Sequence, residues 1–146
     1  MVHGIRFKVQ GRIYEPDKKQ SAKQIERGIA MGKFQELMVW KRSKGLAVYI
    51  YKVTGKGAIA KDFGFRDQIR RASVSIPSNI AEGDELGSNK QAIKFFFIAK
   101  GSSAELLTQS IIALEIEYLD KKDFAHIETE CTAISGMLGK LIKARS

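Results

Sequence analysis

The sequence predicts an all-α protein: an up-down antiparallel four-helix bundle with a kinked second helix, preceded by a loosely ordered N-terminal arm. Three observations predict it. From Phe34 onward, apolar residues recur at spacings of three and four, the period of one helix face. Glycine-rich or polar breaks divide that stretch into four segments with short links, and short links favour antiparallel neighbours. At 146 residues the chain is one domain by length, large enough to bury a core without staples.

The first thirty residues differ in character from the rest. They hold seven basic residues against Glu15, Asp17 and Glu26, so +4 of the chain's +9 charge lies in residues 1–30. The patches "IRFKVQ" and "GRIY" alternate weakly, as short strands do. No later segment offers them partner strands, and a lone hairpin is marginal in water. The expectation is a loose, mobile arm over 1–30 and a bundle domain over 31–146. A second reading starts from Glu26-Arg27-Gly28, which a purine-rich run can encode, with two codons between it and Met31. That is the composition and spacing of a bacterial ribosome-binding site. On this reading residues 1–30 are an upstream extension and Met31 is the natural start.

In the first helical segment Val39, Ser43, Leu46, Ile50 and Val53 share one stripe, widened by Trp40, Ala47 and Tyr49. It should stop near Thr54-Gly55-Lys56-Gly57, where glycines open a loop. The second segment presents Phe65, Ile69, Ala72, Ile76, Ile80 and Gly83, with a stop expected at Glu82-Gly83-Asp84 and Gly87 just beyond. Pro77 falls inside it. A proline there removes one N–H and clashes with the carbonyl of Ser73, at a cost of roughly 3 kcal/mol or more. The stripe continues on both sides, so the helix should bend and continue. Ser73, Ser75, Ser78 and Asn79 supply polar groups within one turn to serve the freed carbonyls.

The third segment opens on Ser88, a good N-cap, with Gln91 at the capping-box position. It is expected to run to Tyr118 or Leu119. Phe95, Phe96, Phe97 and Ile98 are four large apolar residues in a row. Successive helix positions differ by about 100°, so these four point all round the axis. A bundle core covers only one stripe, and each large side chain left in water forgoes roughly 1.5–3 kcal/mol of burial. A neighbouring subunit is the expected second surface, with burial beneath the N-terminal arm as the alternative. The fourth segment gives Phe124, Ile127, Cys131, Ile134, Leu138 and Leu141, an a/d seam in which Cys131 reads as a small apolar residue.

Several chemistries are disfavoured. One cysteine cannot form an internal disulfide, which suits a reducing cytoplasm. No run of eighteen apolar residues and no signal-peptide core is present, so no membrane partner is expected. His3 and His126 are the two histidines, and neither has metal ligands or a triad at suitable spacing. "TGKG" lacks the rest of a phosphate loop. Glu82, Asp84 and Glu85 read as an exposed acidic helix end. The expectation is a protein with no catalytic residue, no metal and no cofactor.

The basic residues point to a polyanionic partner, given a net charge of +9 and a pI near 9.7. Arg66 and Arg70 are i, i+4 neighbours with Arg71 beside them, and Lys90 and Lys94 repeat that spacing. Lys41, Arg42 and Lys44 form a third group, and Lys140, Lys143 and Arg145 a fourth. Each group reads equally as a solvated face or as partners for acids on another helix. No base-stacking aromatic motif is visible, so any binding should run through the phosphate backbone.

The stretch "QIRRASVSIPSNIAEG" (68–83), followed by "IAKGSSAELLTQ" (98–109), resembles the paired signature of a bacterial four-helix-bundle family. These proteins are often encoded in intervening sequences of 23S ribosomal RNA genes. "FQELMVWKRSKGLAVYIYKVT" and "KDFGF" fit the same pattern, and the resemblance covers about residues 33–143. The loop before "DFGF" lacks the proline usual in the family. The resemblance implies a ring-like homopentamer and no established enzymatic activity. A related group serves as accessory protein to reverse transcriptases in diversity-generating retroelements. Two functions follow as expectations. One is a non-enzymatic, basic, homo-oligomeric protein that binds structured RNA or an RNA–DNA hybrid. The alternative is a scaffold or accessory ring for a partner enzyme such as a reverse transcriptase.

Overall fold

The computed structural model describes residues 33–146, together with the backbone of two short strands, β1 (Phe7–Val9) and β2 (Arg12–Tyr14). The chain divides into two compact units, Met1–Lys33 and Phe34–Ser146. In the first, β1 and β2 pair antiparallel with Phe7 opposite Tyr14 and Val9 opposite Arg12. Within the two alternating patches, these residues are therefore strands, paired with each other. The expectations of a mobile arm and of a start at Met31 otherwise fall outside the described residues.

After a 3-10 turn at Lys33–Glu36 come four helices: α1 (Met38–Val53), α2 (Phe63–Glu85), α3 (Asn89–Glu115) and α4 (Lys121–Arg145). Each packs on its neighbours in sequence, and α4 closes on α1. Paired residues run in opposite order across each seam. Tyr49 meets Asp123 and Arg42 meets Glu130 between α1 and α4. Between α2 and α3, Ser75 meets Ser102 while Gly83 lies against Ala92 and Phe95. This is the antiparallel four-helix bundle that the apolar period implies.

The buried stripes follow the sequence closely. Val39, Ser43, Leu46, Ile50 and Val53 are buried on α1, and Ile69, Ala72, Ile76, Ile80 and Gly83 on α2. On α4 the row is Ile127, Cys131, Ile134, Leu138 and then Ile142, where Leu141 was expected. A straight helix drifts by about 20° per heptad against a strict seven-residue repeat, so 142 comes to share the seam with Leu141, which is half-buried against the core. The seam of α3 is made chiefly of small residues: Ala92, Ala99, Ser103, Ser110 and Ala113, with Phe96 and Leu106 among them.

Helix ends differ from expectation at two places. The stop of α2 is not at Gly83; the helix continues to Glu85, and Gly87 takes the left-handed conformation at φ 75°. α3 stops at Glu115, short of Tyr118. There Tyr118 N–H donates to the Ala113 carbonyl at 2.7 Å and Glu117 N–H to that of Leu114 at 3.1 Å, with Glu117 at φ 64°. That pair of bonds closes the helix in a Schellman turn. The N-caps of α2, α3 and α4 are side chains. Asp62 accepts from Phe65 N–H, Ser88 from Gln91 N–H and Asp120 from Asp123 N–H. Thr54 closes α1 by donating its hydroxyl to the Ile50 carbonyl at 2.6 Å.

α2 runs unbroken through Pro77, which is buried. Two polar neighbours bond carbonyls near it, but neither is the Ser73 carbonyl that the proline frees. Ser73 donates to the Arg70 carbonyl at 2.7 Å, and Asn79 Nδ2 to the Ser75 carbonyl at 2.8 Å. The Ser75 hydroxyl instead meets that of Ser102 across the seam at 2.9 Å and accepts from Asn79 Nδ2 at 3.0 Å. Ser78 is exposed.

At Gly83 α2 and α3 pack closely. A Cβ there would stand 2.9 Å from the Phe95 Cβ, 3.1 Å from the Ala92 carbonyl oxygen and 3.1 Å from the Phe96 ring. Alanine normally gains about 1 kcal/mol over glycine inside a helix. Overpacking against backbone costs typically about 1–3 kcal/mol, and here it should win. Gly83→Ala is therefore expected to lower the melting temperature. Gly101→Ala, with open space around it, is expected to raise it. A Gly83→Ala protein as stable as the parent would refute the tight-seam account.

Candidate nucleic-acid interface

The antiparallel arrangement sorts the basic residues by end. Lys41 and Arg42 start α1, Lys90 and Lys94 start α3, and Lys140 and Lys143 lie near the close of α4, so all six gather at one end of the bundle. Arg66, Arg70 and Arg71 lie toward the other end, with Lys52, Lys56 and Lys61 on or beside the α1–α2 link.

Several of these cations have internal partners. Arg42 forms a two-point pair with Glu130, Nε to Oε2 at 2.8 Å and Nη2 to Oε1 at 3.2 Å. That hydrogen bond and the carboxylate charge hold the guanidinium's pKa above its ordinary value. Arg145 bonds Asp84 at 2.6 Å and lies over the Phe96 ring. Arg66 pairs with Asp67 at 3.2 Å and donates to the Ala60 carbonyl at 3.2 Å. Arg70 donates Nε–H to Thr54 Oγ1 at 2.8 Å and Nη2–H to the Tyr51 carbonyl at 3.3 Å. It thereby sits on the C-terminal end of α1, where a cation also favours the helix dipole. Arg71, Lys41, Lys90 and Lys94 are exposed and have no ion-pair partner among the described residues.

The four residues Phe95–Ile98 divide as their angles require. Phe96 is buried in the bundle and Phe95 is half-buried against Gly83. Phe97 and Ile98 face outward at 55% and 43% exposure. Ile111, Ile112 and Ile116 continue that outer face of α3 toward its far end.

Tyr51 and Phe63 are exposed aromatics that the sequence reading did not single out. Each lies off the buried stripe of its helix, and that displacement is the signal that could have found them. Arg70 stacks over Tyr51 at 4.5 Å and Arg66 over Phe63 at 4.8 Å from the ring centroid.

The remaining reactive groups are structural. Burial pushes the Cys131 thiol up to about 11, so it stays a thiol at neutral pH. Tyr49 donates to Asp123 at 2.5 Å, and its ring lies 4.3 Å from that of His126, which is exposed. Burial, with the Asp123 bond adding to it, pushes the Tyr49 phenol up to about 12. Among the described residues no cluster of three or more His, Cys, Asp or Glu is placed to hold a metal ion. No described helix is long and apolar enough to cross a membrane.

These features define a class: a four-helix bundle of net positive charge whose distinguishing surfaces are a cationic end, two arginine–aromatic stacks and an outward apolar face. The family model for the 23S rRNA-intervening sequence protein matches residues 35–140, and the chain belongs to that family. A solved structure from Bacteroides thetaiotaomicron, described as a protein with unknown function from the S23 ribosomal protein family, is similar at 28% identity. The TM-score is 0.67, over 73% of this chain and 99% of that one. No curated protein matches the chain.

Two outcomes test the assignments at this site. Arg70→Ala should lower stability by about 1 kcal/mol through the lost bond to Thr54, while Arg71→Ala should stay within about 0.5 kcal/mol of the parent. Denaturant titration reads both, and equal losses would contradict the division into spent and free arginines. The second concerns alkaline pH. The phenol of Tyr49 has a folded pKa above its unfolded value near 10, so its contribution is complete below about pH 10. That contribution is lost as pH rises through about 12. Tyr49→Phe should flatten the stability profile over that window.

Proposed function

We propose that this chain is a non-enzymatic, homo-oligomeric nucleic-acid-binding protein of the cytoplasm. Its ligand is structured RNA or an RNA–DNA hybrid, held through phosphates. The observation that carries the reading is the set of free cations: Arg71, Lys41, Lys90 and Lys94 are exposed and unspent on internal pairs. Three of them share one end with Lys140 and Lys143, both exposed. Assembly would repeat that weak patch and multiply its avidity. The outward row Phe97, Ile98, Ile111, Ile112 and Ile116 supports assembly, because copies of the chain would remove it from water. The ring-forming family that the sequence resembles makes five the expected number.

A second reading, an accessory scaffold for a partner enzyme, draws on the same row. The α3 face would then receive another protein in place of a copy.

Light scattering and a salt series separate them. The chain of 16.3 kDa should scatter as a multiple of itself, and Phe97→Lys should give smaller soluble species. Affinity for an RNA hairpin should fall steeply with salt, with a slope of several units in log K against log salt. Lys90→Glu with Lys94→Glu should reduce that slope and weaken all sequences alike, since phosphate contacts carry no sequence information. A monomeric protein with no affinity for hairpin or hybrid at about 50 mM salt would favour the scaffold.

A further inference from the structure

We infer that the α1–α2 face is a stacking platform for unpaired nucleotides, with Tyr51 and Phe63 as the base-contacting rings. The inference rests on the nucleic-acid reading above and specifies which part of the ligand this face takes.

Phe63 opens α2 and is 65% exposed; Tyr51 lies in the last turn of α1 and is 47% exposed. Neither ring joins the core. Scattered exposed apolar residues are ordinary, but these two share an arrangement. Each carries a guanidinium over its ring, and each guanidinium is held from behind. Arg66 is tied to Asp67 and the Ala60 carbonyl, Arg70 to Thr54 and the Tyr51 carbonyl. The flat cation–aromatic units are therefore preorganised, so little side-chain freedom is lost when a base settles on them. Arg66 and Arg70 are four residues apart on one helix. They therefore share one side of α2, and both units belong to one face of the molecule.

The surroundings favour a polyanion with planar faces. Tyr51 is shared by two grooves that meet there. One, of about 530 Å³, has an apolar floor of Ala47, Val48, Val74 and Pro77 between Lys44 and Lys52. The other is lined by Arg70, Arg71, Ser75, Ser78 and Asp67. Asp67 is the one carboxylate among the residues lining either groove, and it is paired with Arg66. Lys44, Lys52 and Arg71 can meet phosphates while bases lie on the rings, the combination used by sequence-tolerant single-strand binders. An acidic amphipathic peptide would use the same charges. It has less use for two arginine-backed rings on one face, because every nucleobase offers a flat π-face and few peptide side chains do.

Fluorescence anisotropy with a labelled oligouridylate of about twelve nucleotides, beside a blunt RNA duplex of equal length, tests this. Phe63→Ala and Tyr51→Leu should each weaken oligouridylate binding about tenfold and leave duplex binding unchanged. The salt slope should not move, because stacking releases no counterions. Phe63→Trp should keep or improve the affinity. Arg71→Glu should instead lower the salt slope. Both rings are exposed, and circular dichroism would verify that the variants keep the fold. Equal losses on single strand and duplex, or no loss on either, would overturn the platform while leaving nucleic-acid binding in place. Wild-type binding to the duplex alone would do the same. No binding to either probe would remove both readings. A change of oligomeric state in the Phe63 or Tyr51 variants would assign the face to a protein contact and overturn the platform.

Discussion

The missing side chain at Gly83 sets the geometry on which the rest depends. It lets α2 come within van der Waals reach of the Ala92 carbonyl and of Phe95 and Phe96. Helices that close need a small seam, and α3 supplies one in Ala92, Ala99, Ser103, Ser110 and Ala113. Buried serines then need partners. Ser110 returns to the Leu106 carbonyl, Ser103 to that of Cys131, and Ser102 to Ser75. A helix whose inner seam is small must place its bulk elsewhere. Phe97, Ile98, Ile111, Ile112 and Ile116 stand on the outside, so the close-packed seam and the apolar outer face lie on two sides of one helix.

The same economy governs the arginines. A guanidinium can close a helix end, pair with a carboxylate or lie on a ring, and Arg70 does the first and the last at once. Its neighbour Arg71, about 100° away around the helix, does none of these. Adjacent residues of identical type thus differ in what they leave free, and net charge alone overstates the number of uncommitted cations.

The apolar period made the helices legible, because core burial and helical geometry act on the same residues. The cap at Ser88 and the buried Cys131 were legible for the same local reasons. The end of α3 was not, because Glu117 takes a left-handed conformation that its residue type does not advertise. The sequence places Gly83 on the buried stripe but also suggests a stop there, because its contact is with a segment nine or more residues away. The paired arginines were ambiguous for a similar reason: Glu130, Asp84 and Thr54 reach them only through tertiary structure. The aromatic stacks join Tyr51 to Arg70 and Phe63 to Arg66, and the first of these crosses two helices.

The seams of the bundle are not equally strong. α2 and α3 are joined by a link of three residues, 86–88, and meet at backbone distance. α1 is the shortest helix, and its link of nine residues, 54–62, contains Gly55 and Gly57. Polar pairs, Tyr49 with Asp123 and Arg42 with Glu130, fasten it to α4. Such a helix is the one to detach first when the native state opens sub-globally, leaving the other three associated. The bundle then behaves as a three-helix body with a hinged fourth wall. Amide protons of α1 would exchange ahead of those along Ile69 to Ile80, and the Tyr51–Arg70 stack would come apart with that wall.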